Sequence, residues 1–185
     1  PEDFTYVTPL TTLVALTMGE GDNPVTLAAQ IAKGLGLTFD ENVGLQNYDP
    51  FAEMTGTGNT GQAELVFKAQ QMVFTVMQAA TTALGGDAAA LQNMANAVTN
   101  AILASDPSPT SSLASTISNI TQAAIGSLFD ANDAVGLAKA NAITASIDTV
   151  NAQINESYSG LATALQTNDV AALAKAEAAA GVSQD

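Results

Sequence analysis

The stretch ITASIDTVNAQINESYSGLATAL, residues 143–165, decides how the chain is read. Its apolar positions Ile143, Ile147, Val150, Ile154, Tyr158, Leu161 and Leu165 recur at three- and four-residue steps. That period belongs to one face of an α-helix, and we read it as one uninterrupted heptad seam. A helix carrying such a face needs a neighbour to bury it, so the pattern predicts intramolecular packing against other helices.

The same period recurs on both sides. Downstream, Asn168-Asp169 caps a last Ala-rich helix over about 170–180. Upstream, Leu113, Ile117, Ile120, Ala124 and Leu128 mark one helix, and Leu91, Met94, Val98 and Ile102 another. Between them, Ser105-Asp106-Pro107-Ser108-Pro109 breaks the chain. The segment from Gln62 to Leu84 carries Leu65, Ala69, Met72, Val76 and Ala80, widened by Phe67, Phe74 and Met77, which predicts a helix at the centre of the core. Gly85-Gly86 ends it and Asp87 caps the next. Two N-terminal helices open with a cap and then proline, Thr8-Pro9 and Asn23-Pro24, where the missing proline N–H costs nothing. Asp49-Pro50 opens a short helical turn, and Phe4 to Val7 reads as an extended lead-in. The pattern predicts an all-α, antiparallel bundle of about six to seven helices with short connections. A boundary is expected in the Gly-rich segment, giving a short-helix and loop subdomain over 1–61 and an Ala-rich bundle over 62–185.

Composition narrows function by exclusion. The 185 residues hold 18 acids and 4 bases, for a net charge of −14, and the bases are Lys33, Lys68, Lys139 and Lys175. Nucleic-acid binding requires Lys or Arg to neutralise phosphates, so this surface repels nucleic acid, and anionic lipid with it. The charge favours solubility and attracts cations. Neither His nor Cys is present. Imidazole and thiolate zinc sites, disulfides, His-based proton transfer and cysteine nucleophiles are therefore excluded. No apolar run is long enough to span a bilayer, so membrane insertion is not expected. Pro1-Glu2-Asp3 lacks the basic region of a secretory leader, and a start at Pro implies a processed chain or a fragment.

Few segments suggest chemistry. Gly56-Thr57-Gly58-Asn59-Thr60-Gly61 is rich in glycine, but no strand precedes it and no Walker-type lysine follows, so we read a flexible linker. Calcium takes oxygen ligands, which makes two acidic turns candidates. One holds Asp40, Glu41 and Asp49, with Asn42 and Glu53 nearby; the other holds Asp130, Asn132 and Asp133. The second departs from the EF-hand loop. Ala134 stands where an oxygen ligand belongs, Gly136 comes one place late, and Asn141 replaces the bidentate Glu. Helix capping accounts for Asp49 and for Asp130 to Asp133 without any ion. No Ser-x-x-Lys arrangement exists, and no pair of carboxylates stands out for acid–base work. Ser112, Ser115 and Ser118 read as a solvated helix face. Phe67, Met72, Phe74 and Met77 are the residues that would line an apolar ligand cavity, if they do not simply fill the core.

Val7-Thr8-Pro9-Leu10-Thr11-Thr12-Leu13-Val14-Ala15, then Leu35-Gly36-Leu37, Tyr48-Asp49-Pro50-Phe51 and Leu65-Val66-Phe67-Lys68-Ala69-Gln70, in that order, resemble helical modules of very large bacterial surface and exported proteins. The resemblance covers about the first half of the chain. It implies an extracellular or cell-surface structural or adhesive module, non-catalytic, self-associating or packed on neighbouring domains, with no catalytic residues to carry over. A helical sensor or small-ligand-binding domain is the alternative.

Overall fold

The computed structural model describes residues 5–39, 43–56, 58–130 and 132–182. Among them the chain is helical throughout: α1 (Pro9–Thr17), α2 (Pro24–Gly34), a 3-10 turn (Leu45–Asn47), α3 (Pro50–Thr55), α4 (Thr60–Ala83), α5 (Ala88–Ala104), α6 (Leu113–Gly126), α7 (Ala134–Ser157), α8 (Leu161–Thr167) and α9 (Val170–Val182). The helices pack on one another as a bundle. There are more of them than the sequence pattern implies, because Pro50–Thr55 is a true short helix and the 143–165 seam is divided.

Helix starts follow local chemistry. Thr8 and Thr11 form a reciprocal capping box, with the Thr8 hydroxyl accepting from Thr11 N at 3.2 Å and Thr11 Oγ1 accepting from Thr8 N at 2.7 Å. Asn23, Asn59, Asp87 and Ser112 each accept from a backbone N–H in the first turn of the helix that follows. Thr5, in the lead-in to α1, donates from its N–H to the Gln46 carbonyl of the 3-10 turn at 3.1 Å. Phe4 lies outside the described residues.

The central helix is α4, which touches α1, α3, α5, α6, α7 and α8. Its buried side is formed by Ala63, Val66, Phe67, Ala69, Met72, Val73, Val76, Met77 and Ala80. Two readings need correction. Leu65 is 39% exposed and Phe74 41%, so neither belongs to the core. The apolar stripe runs through Val66 and Val73 instead, one residue off at each place. Helices surround α4 so fully that Lys68, Gln70 and Thr75 are buried with it. Apolar packing continues across residue 61: Leu10, Leu13, Ile31 and Met54 join the same cluster as Met72, Met94, Ile117 and Ile147. Between α2 and α5 the approach is close enough that a methyl group on Gly34 would run into the Ile102 carbonyl oxygen.

The seam residues all point inward, with Ile147, Ile154, Tyr158 and Leu161 buried and Ile143, Val150 and Leu165 half-buried. They do not lie on one helix. The steps Val150 to Ile154 to Tyr158 are two consecutive fours, and just beyond them the chain bends. Gly160 adopts φ 81°, a left-handed conformation that glycine enters without strain, and Leu161 N donates to Tyr158 O at 3.1 Å. Edge-to-face contacts link Phe51 to Phe67 and Phe67 to Tyr158, each at 4.9 Å between ring centres, and join α3, α4 and the end of α7.

Candidate functional site

The acids singled out from sequence serve as backbone acceptors. Asp49 Oδ1 accepts from Phe51 N at 2.9 Å and Ala52 N at 3.2 Å, capping α3. Asp133 Oδ1 accepts from Val135 N at 3.0 Å, capping α7. Asp130 Oδ1 accepts from both nitrogens of Asn132, at 2.9 and 3.2 Å, and closes the turn before it. A carboxylate at a helix N-terminus satisfies donors the helix cannot pair and meets the positive end of its dipole. Asp40, Glu41 and Asn42 lie outside the described residues, as do Thr57 of the Gly-rich segment and Ala131 of the second acidic turn. Among the described residues, no three acids are grouped as a metal centre would require. Ser112 caps α6 and hydrogen-bonds Ser115 at 3.1 Å, so this serine pair is part of a helix start.

One constellation was invisible in the sequence. Lys68 and Glu64, one turn apart on α4, form an ion pair at 2.9 Å, their side chains only 7% and 17% exposed. Lys68 Nζ also donates to Ser159 Oγ at 3.0 Å, across 91 residues of chain. Glu64 Oε2 accepts from Ala162 N at 3.4 Å, supplying the first turn of α8 with the acceptor that Gly160 cannot offer. A buried lysine beside a serine hydroxyl suggests a nucleophile and its base, but the proton directions oppose that role. Lys68 is paired with Glu64, and the Ser159 hydroxyl donates to Asn155 O at 2.7 Å, so its proton points at backbone and not at the amine. The cluster is a clamp on the corner between α7 and α8. Beside it, burial raises the pKa of the Tyr158 phenol above its ordinary 10.0.

Among the described residues, two of the concavities open to solvent have mainly apolar walls. One, of about 620 Å³, lies where the end of α2 meets the 106–113 connection, with Leu37, Phe39 and Pro107 in its walls. The other, of about 570 Å³, is a groove between α1, the second half of α4 and the start of α5, lined by Val7, Leu13, Leu16, Phe74, Met77 and Leu91 among others. Among the described residues, no charged side chain lines the groove. The four residues named from sequence for a ligand cavity divide here: Phe74 and Met77 reach the groove, while Phe67 and Met72 are buried in the core. Among the described residues, no helix is long and apolar enough to cross a membrane.

Compared with family models, with curated protein sequences and with solved structures, the chain gives no match.

Proposed function

We propose that the chain is a non-catalytic module that acts by packing and display, as a spacer, adhesive or self-assembling unit of a secreted or cell-surface bacterial protein. The observation that carries this reading is how the polar side chains are used. Asp49, Asp87, Asp133 and Asp169 hold helix starts, and the Glu64–Lys68 pair holds a helix corner. Acid–base catalysis needs such groups aimed at a substrate, whereas here they are aimed at backbone. The resemblance of the Val7–Ala15 run to modules of bacterial surface proteins supports the extracellular placement. The partner on this reading is protein, either another copy or a neighbouring domain. Turnover of any substrate in a broad hydrolase panel, abolished by one carboxylate substitution, would overturn the reading. In its calcium-stabilised version, millimolar calcium raises the melting temperature, and an unchanged melting temperature removes that version.

The groove along α1 favours a second reading, binding of a small apolar ligand, because about 570 Å³ lies within the usual range for such sites. Native mass spectrometry that finds no small molecule retained counts against it.

A further inference from the structure

We propose that the corner Tyr158–Ser159–Gly160 is an exchange hinge: with it straightened, α7 and α8 join in one helix, and the α8–α9 segment docks on a second copy of this chain and remakes the same contacts there. The inference concerns the fold itself and holds whether or not the module is a spacer.

Three observations converge on it. The apolar register does not stop at the corner. Ile147, Val150, Ile154, Tyr158, Leu161 and Leu165 keep three- and four-residue steps through it, and no proline lies between Ala134 and Thr167. A straight helix over this whole stretch would therefore carry one apolar face. The bend itself depends on very little backbone. Within the corner only Gly160 is left-handed, at φ 81°, and open space surrounds the place where its Cβ would be. No steric contact at Gly160 enforces the turn. The restraint comes from across the interface: Lys68 on Ser159, Glu64 on Ala162 N, and Gln166 Nε2 on the Gly56 carbonyl at 3.4 Å.

Each of those contacts joins the corner or α8 to α3, α4 or the turn between them. Leu161, Ala162 and Ala164 are buried by the same neighbours. A second copy presents identical surfaces, so an exchanged pair recovers every one of these contacts under two-fold symmetry. The buried ion pair also stays paired in both arrangements, which removes the largest penalty that opening would carry. The exchanged segment moves little charge despite the chain's net −14, since between Leu161 and Val182 the charged residues are Asp169, Lys175 and Glu177. Short hinges between packed helices are where such exchange arises. The closed and exchanged forms then differ at the hinge and in concentration, and the wild-type glycine favours the closed one.

The test is Gly160→Ala in the full chain. Alanine is strained in the left-handed conformation and favoured in a helix, which shifts each hinge roughly thirtyfold toward straight. With two hinges per pair, dimerisation tightens by on the order of 10³-fold. Light scattering after size exclusion should show a helical dimer for G160A at concentrations where the wild type is a monomer. That dimer should persist for hours after cold dilution, because release requires α8 and α9 to detach. Inserting Gly-Gly after Ser159 in the variant should return a monomer. Should G160A not fold, Gly160→Asn serves instead, since asparagine tolerates the left-handed conformation yet is less strained in a helix than the wild-type glycine; it should dimerise more weakly than expected for alanine but more tightly than wild type. A folded variant that stays monomeric, or a dimer that dissociates within a minute of dilution, overturns the proposal.

Discussion

Asn151 offers the sharpest test of the packing argument. It sits on α7 only 3% exposed, and neither Oδ1 nor Nδ2 finds a hydrogen-bond partner among the described residues. Burying an unpaired carboxamide costs about 1–3 kcal/mol by protein measures. Leucine branches at the same carbon and replaces both polar atoms with methyl groups. It also favours the helix over asparagine by a few tenths of a kcal/mol. Repacking around the larger methyl groups returns about 1 kcal/mol of that gain. Asn151→Leu should therefore stabilise the fold by about 1.5 kcal/mol. For a chain of this length, that is a rise in Tm of about 3–6 °C. Urea unfolding followed by circular dichroism measures it, with an unchanged slope as the check that the same surface is exposed. Ile147→Ala, one turn earlier on α7 at 1% exposure, calibrates the site and should lose about 2–5 kcal/mol. If Asn151→Leu instead loses about 1 kcal/mol or more, the size of one lost hydrogen bond, the carboxamide is paired and the reasoning is refuted.

Three further outcomes follow from the contacts above. Lys68→Met leaves Glu64 buried and unpaired and should cost about 3–5 kcal/mol, whereas adding Glu64→Gln should recover part of that loss; equal stabilities for single and double variants would mean the pair is not coupled. Gly34→Ala forces α2 away from the Ile102 carbonyl and should cost about 3 kcal/mol by overpacking, read from the same urea curves. Burial raises the Tyr158 pKa in the folded state above its unfolded value. Its contribution to stability is therefore full below about pH 10 and declines as pH rises through the folded pKa. Alkaline unfolding curves should show that decline, and Tyr158→Phe should lessen it.

What the residues decide locally was legible without a structure. Thr8, Asn23, Asp49, Asp87 and Asp133 were readable as caps because capping needs only a short polar side chain one residue ahead of a helix. All-helical character followed from the apolar period. The absence of His, Cys and Arg removed whole classes of chemistry, because no arrangement in space can supply a missing functional group.

What depends on which helix meets which was decided only in three dimensions. Lys68 reads as an ordinary charged residue one turn from Glu64. It is buried because α7 and α8 close over it, and its partner Ser159 lies 91 residues away. Leu65 and Phe74 fit the helical period yet face solvent, since periodicity gives a stripe its spacing but not the neighbour that covers it. The seam through Leu165 permits one long helix, and the chain bends at Gly160 because contacts from α4 and α3 hold the corner. Helical period and capping act within a few residues, so sequence specifies them; burial and the α7–α8 corner arise between segments far apart in the chain, so only the assembled bundle does.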